Sequence, residues 1–124
     1  MVLKGKKITV GITGGITAYK AAEIVSWLMD TSADWHVPHI DLADCDLYLL
    51  LPATANIMAK AAHGLADEVV SASLLANHAP VICAPAMNTY MYENPATQHN
   101  IQLLQERGWL IVSPGETKGK AGQL

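Results

Sequence analysis

Apolar residues along the chain fall into short continuous runs and longer spaced runs, and the two kinds alternate. Lys7 to Thr13 (KITVGIT) is a short β-branched stretch that breaks at Gly14-Gly15, which predicts a strand and a tight turn. Ala18, Ala21, Ala22, Val25, Leu28 and Met29 then repeat at helical spacing on one face. Leu47 to Leu51 (LYLLL) is apolar throughout, as a central parallel strand covered on both faces would be. Beyond it, Ile57 to His63 predicts a helix closed by Gly64, Asp67 to Ala76 another helix, and Val81 to Ala84 a third strand. Asn94-Pro95 is a helix start, with Asn as N-cap and Pro in the first turn. That helix should run to about Arg107 and stop at Gly108, and Leu110 to Val112 gives a fourth strand. Strands alternating with helices predict an α/β fold, a doubly wound parallel sheet in three layers with right-handed crossovers.

One stretch does not fit that plan. The first helix should end at the bottom of the sheet near Met29, while a helical stretch around Ile40 to Cys45 should begin near its top. Asp30 to Pro38 (DTSADWHVP) must then climb the whole sheet, yet it has no strand pattern. Such a segment reaches ~30 Å only when extended, and a bare climb leaves backbone polar groups unpaired against the sheet. The expectation is that mobile segments are missing near residues 30–36. GETKGKAGQL, the tail, has the same look of a loop with its middle removed, near 117–120. Residues 1–124 are otherwise expected to form a single domain.

Composition narrows the function classes. With 51% hydrophobic residues the chain can build a core, though one of 124 residues is marginal alone. A net charge of −3 points to no nucleic acid and no anionic membrane as partner. No apolar run approaches the ~20 residues that span a bilayer. MVLKGKKITV passes from lysines straight into a strand, so it is not read as a signal peptide. Cys45 and Cys83 lie far apart in apolar surroundings and are read as buried thiols in preference to a disulfide. The expected compartment is the cytoplasm.

Four constellations carry candidate chemistry. In GITGGITAYK (Gly11 to Lys20) the glycines let backbone approach a phosphate at a helix N-terminus. It lacks the GxGxxG spacing and a ribose-binding acid, so a mononucleotide fits better than NAD; a plain βα turn is the competing reading. LPATANIMAKAAHGLAD (Leu51 to Asp67) sets Thr54, Ala55 and Asn56 just past a strand, where sheets of this class bind ligands. There Thr54 or Asn56 can also simply cap the next helix. APAMNTYMYENPATQHN (Ala84 to Asn100) puts the Asn88 amide at the same rim, able to bind a carboxylate, while Met87, Met91 and Tyr92 are open to a core role. His39 should lie at the top edge beside these loops. His36 and His39 have no ligand pattern around them, so no metal is expected, and His63, His78 and His99 read as helix-end or loop residues.

Together, GITGGITAYK, His39-Ile40, PATAN at 52–56, AHGLAD at 62–67, PAMN at 85–88 and NPATQHN at 94–100 resemble the homo-oligomeric flavin-containing cysteine decarboxylases. Within that family they resemble most the branch acting on phosphopantothenoylcysteine in coenzyme A biosynthesis. The resemblance implies a Rossmann-like or flavodoxin-like fold, FMN as cofactor, and a homotrimer or assembly of trimers with the flavin between subunits. It assigns Thr13, Gly14, Gly15 and Ile16 to the FMN phosphate. Pro52, Ala53, Thr54, Ala55 and Asn56, with Ser71 and Ser73, would contact ribityl chain and ring. His39 and Asn88 match the family's catalytic histidine and carboxylate-binding asparagine, with Ala86 and Met87 beside the substrate. The implied reaction oxidises the cysteinyl carbon bearing sulfur to a thioaldehyde, loses CO₂ to an enethiolate, and ends with reduction to 4′-phosphopantetheine.

The chain also departs from that pattern. Family members carry a strand–helix segment and a longer loop where Asp30 to Trp35 stand here. Their lid has the form ACGxxGxGR and its cysteine supplies the final proton, whereas GETKGKAGQL has neither cysteine nor arginine. Rival readings are a non-catalytic FMN-binding regulatory subunit, a peptide-cysteine decarboxylase, and a flavin prenyltransferase of similar fold. Keeping both His39 and Asn88 favours the enzyme, and NPATQHN leans toward the coenzyme A branch.

Overall fold

The computed structural model describes residues 5–14 and 43–113. Among the described residues four parallel strands form one sheet in sequence order: β1 (Ile8–Gly11), β2 (Leu47–Ala53), β3 (Val81–Pro85) and β4 (Leu110–Ile111). Ile8 pairs with Leu47, Tyr48 with Val81, and Ile82 with Leu110, so all four carboxyl ends point to one edge. β1 and β3 alternate between buried and half-buried positions, while β2 is buried almost throughout. Tyr48 and Leu50 are among its closed side chains, packed with Ile57, Met58, Cys83 and Leu104. Unbroken apolar sequence thus marks β2, an interior strand covered on both faces.

Helices α1 (Ala55–His63) and α2 (Val69–Ala76) lie between β2 and β3 in the chain, and α3 (Thr89–Glu93) and α4 (Pro95–Glu106) between β3 and β4. Their ends follow local chemistry. Thr54 Oγ1 accepts the Ile57 N–H at 3.1 Å and starts α1, and Gly64 ends it at φ 72°, a conformation that suits a residue without Cβ. Asn94 caps α4 ahead of Pro95, and Gly108 follows its last turn, both as expected. At the far end of α1, Arg107 donates to the Ala61 and Ala62 carbonyls at 3.2 and 2.7 Å. His63 Nε2 meets Asn100 Oδ1 at 2.8 Å, which clamps α1 to α4.

Three expectations need correction. The helical stretch around Ile40 to Cys45 is not helical where it is described: Ala43 and Asp44 form a turn and bend. Lys7 and Asp46 explain this, since the Lys7 N–H donates to Asp46 Oδ2 and the Asp46 N–H to the Lys7 carbonyl, each at 2.7 Å. That pairing already aligns the chain with β1 before β2 begins. α2 starts at Val69, not Asp67, because Glu68 serves as its cap. α3 was not expected at all; it is a five-residue turn capped by Asn88. The awkward climb from Asp30 to Pro38 and the tail at 117–120 lie outside the described residues.

Candidate functional site

At the carboxyl edge three successive loops are laced together. After β1, Thr13 donates its backbone N–H to the Pro52 carbonyl at 3.2 Å and its hydroxyl to the same oxygen at 2.8 Å. The Thr13 hydroxyl also accepts the Thr54 N–H at 3.1 Å. After β3, the Ala86 N–H donates to the Ala53 carbonyl at 2.9 Å. A Cβ on Gly14 would stand 3.0 Å from Thr54 Cγ2, so any larger residue there would push the Thr54 methyl aside by a few tenths of an ångström. The sheet edge therefore gathers Thr13, Gly14, Pro52, Ala53, Thr54 and Ala86 into one continuous rim.

Other expected residues take varied positions around it. Asn56 is exposed in the first turn of α1 and Ala55 half-buried beside it. Met87 is half-buried against the core. Asn88 is exposed; its Oδ1 accepts the Met91 N–H at 2.9 Å as the α3 cap, which turns one side of the amide to the helix. No side chain described at this rim is charged. Gly15, Ile16, His36 and His39 lie outside the described residues.

Ser71 and Ser73 are not on the rim surface. Ser71 is buried, with its hydroxyl bonded to the Glu68 carbonyl and Asp67 and accepting the Glu68 N–H. Ser73 meets the buried Tyr48 hydroxyl at 2.6 Å and donates to the Val70 carbonyl at 2.8 Å. Both hydroxyls answer needs of the fold, a helix cap and a buried phenol. Burial also raises the Tyr48 phenol above its usual range, only partly offset by Ser73.

The family model described as Flavoprotein matches residues 29–123. The chain belongs to the flavoprotein family. It is 37% identical over 161 residues to the coenzyme A biosynthesis bifunctional protein CoaBC of Escherichia coli, a match that takes in all of this chain. The chain spans 40% of that relative's length. It is 38% identical over 148 residues to a probable phosphopantothenoylcysteine decarboxylase of Streptococcus mutans, covering 88% of this chain and 83% of the relative. The crystal structure of the FMN-dependent cysteine decarboxylase SpaF is similar with a TM-score of 0.80 at 29% identity, over 96% of this chain and 89% of that one. The doubly wound α/β fold expected from the strand and helix pattern is thus the fold of its relatives.

Neither thiol of this flavoprotein stands at the rim. Cys83 is closed within β3, and burial pushes its thiol up to about 12. Cys45 precedes β2, half-buried, with Sγ 3.5 Å from Asn77 Oδ1. Both are free, as expected.

Below the rim an acidic pair holds the loop that leads into α2. Asp67 bonds Lys60 Nζ at 2.9 Å, which lowers the carboxyl and raises the ammonium. Glu68 is pushed up by burial, but hydrogen bonds from Ser71 and Val70 outweigh that and leave it below its ordinary value of 4.5. A carboxyl lowered in the folded state adds stability above about pH 4.5, and that stability is lost as pH falls through the lower folded value. Urea midpoints should therefore drop between pH 6 and pH 3, and Glu68→Gln should flatten part of that slope. An unchanged slope in the variant would take Glu68 out of the acid response. Among the described residues no helix is long and apolar enough to cross a membrane.

Proposed function

We propose that this flavoprotein binds FMN at the laced rim and carries out the oxidative decarboxylation of 4′-phosphopantothenoylcysteine to 4′-phosphopantetheine in coenzyme A biosynthesis. The observation that carries the reading is the rim itself, where Thr13 and Gly14 after β1, the Pro52–Thr54 loop after β2 and Ala86 after β3 meet at the carboxyl edge of a parallel sheet. The residues present fit the cofactor. Gly14 brings the first turn close to the Thr54 methyl and leaves its backbone without a side chain on an exposed position, and the neutral amide of Asn56 suits the donor and acceptor edge of a flavin. The turn beginning at Gly14, with Gly15 and Ile16, would hold the phosphate; Pro52 to Asn56 would meet ribityl chain and ring. When bound, FMN supplies a reversible two-electron acceptor.

The chain's own residues then bind and orient. Asn88 keeps its Oδ1 on the α3 cap and turns its NH₂ outward, a donor for the substrate carboxylate, with Ala86 and Met87 beside it. His39 is assigned to proton handling from its match to the family motif. The names borne by relatives 37% and 38% identical support the coenzyme A branch over a peptide-cysteine substrate. Exposed Leu65, Val69, Leu75 and Tyr90 support association into the trimer, and the pathway supports a cytoplasmic location. The bifunctional relative aligns over 161 residues against 124 here, a difference of 37, which supports the reading of a single domain with mobile segments missing near 30–36 and 117–120.

Purified protein should be yellow and release FMN, not FAD, on denaturation. With phosphopantothenoylcysteine it should release CO₂, and light scattering should give a trimer or a multiple of one. A colourless protein that takes up no flavin on reconstitution would sink the proposal.

A further inference from the structure

We infer that Thr13 is a positioning residue that sets the gap between the glycine turn and the Thr54–Asn56 loop, and is not itself a ligand of the phosphate. The inference rests on the FMN reading above and deepens it. A phosphate at neutral pH accepts hydrogen bonds and donates few, so a residue holds it only with a free N–H or O–H. Thr13 has two such donors, and both point at one oxygen: its N–H lies 3.2 Å and its hydroxyl 2.8 Å from the Pro52 carbonyl. The hydroxyl's acceptor side takes the Thr54 N–H at 3.1 Å. One side chain thus ties both backbone polar groups that flank Ala53.

The consequence runs outward to the site. Thr54 is held by the tie, and its methyl sits against Gly14 so closely that a Cβ there would be 3.0 Å away. Thr54 Oγ1 in turn caps α1, so the position of Asn56 in the first turn follows from the same bond. Thr13 therefore has no donor left for a phosphate, and on the described rim that task falls to Gly14 and the first-turn N–H groups of α1. Hydroxyl loss leaves the half-buried Thr54 N–H without its acceptor and the buried Pro52 carbonyl with only the longer 3.2 Å bond from the Thr13 N–H.

The test compares Thr13→Val with Thr13→Ser by flavin fluorescence titration and amide hydrogen exchange. Thr13→Val should raise the Kd for FMN at least tenfold and speed exchange at the Thr54 amide. Thr13→Ser keeps the hydroxyl and should stay within about threefold of wild type. Arg107→Ala, at the opposite end of α1, should lower the melting temperature while leaving the Kd unchanged, which separates positioning from general loss of stability. If Thr13→Val does not fold, Thr13→Ala removes the same hydroxyl with less bulk. Equal affinity in wild type and the hydroxyl-free variant, or a Ser variant as weak as Val, overturns the inference. A wild type that takes up no FMN overturns the flavin reading and this inference with it, whereas FMN uptake with an insensitive Thr13 overturns the tie alone.

Discussion

Asn88→Asp should keep its flavin and its melting temperature to within about 2 °C, and lose CO₂ release by more than tenfold, a barrier change above ~1.4 kcal/mol. The reason is that Asn88 has two faces. Its Oδ1 accepts the Met91 N–H and starts α3, and an aspartate oxygen does that equally well. Its NH₂ is the outward face, and the substitution replaces that donor with a negative oxygen opposite the substrate's own carboxylate. Asn88→Ala, by contrast, should lose the cap as well, about 1 kcal/mol of stability, so the two variants separate fold from chemistry. Stopped-flow of flavin reduction and CO₂ assay check this. Wild-type turnover in the Asp variant would remove Asn88 from the substrate site.

The largest effect on stability is expected at Leu50. It has no exposed surface, sits in the strand with neighbours on both sides, and its Cδ1 stands 3.1 Å from where a Gly11 Cβ would be. Leu50→Ala should cost about 3 kcal/mol or more, because backbone this tightly paired cannot collapse into the cavity. Set against about 5–15 kcal/mol for a whole domain, that is enough to move a urea midpoint far and to lower expression. Leu110→Ala, on the exposed side of β4, should cost almost nothing. Equal midpoints for the two variants would mean that β2 is not the centre of the core.

Much of this fold is legible in the sequence where one signal acts over a short range. LYLLL has no polar residue to suggest a wet face, and Asn94-Pro95 and Gly64 mark helix ends by their own backbone chemistry. Five-residue α3 was missed because so short a helix shows no period, although Asn88 ahead of Thr89 is a capping signal. Ser71 and Ser73 enter as ribityl and ring contacts through the family resemblance alone, and their own spacing says nothing of which way they face. What turned them inward, the Tyr48 phenol and the Glu68 N–H, is visible only when helix and strand are packed. The bond from Thr13 to Pro52 joins residues 39 apart, so no local spacing announces it.

The same separation governs the order in which the molecule can assemble. β1 and β2 pair in parallel across those 39 residues, so the first turn leaves the ribosome long before the carbonyl that fixes it exists. Closing a loop of that length costs entropy before any contact repays it, and parallel pairing between distant segments is slow. The laced edge is therefore a late event in folding, completed only after β3 has joined and Ala86 has reached Ala53. On that order a nascent chain would have no laced edge to offer, and a cofactor would meet strands that are already paired.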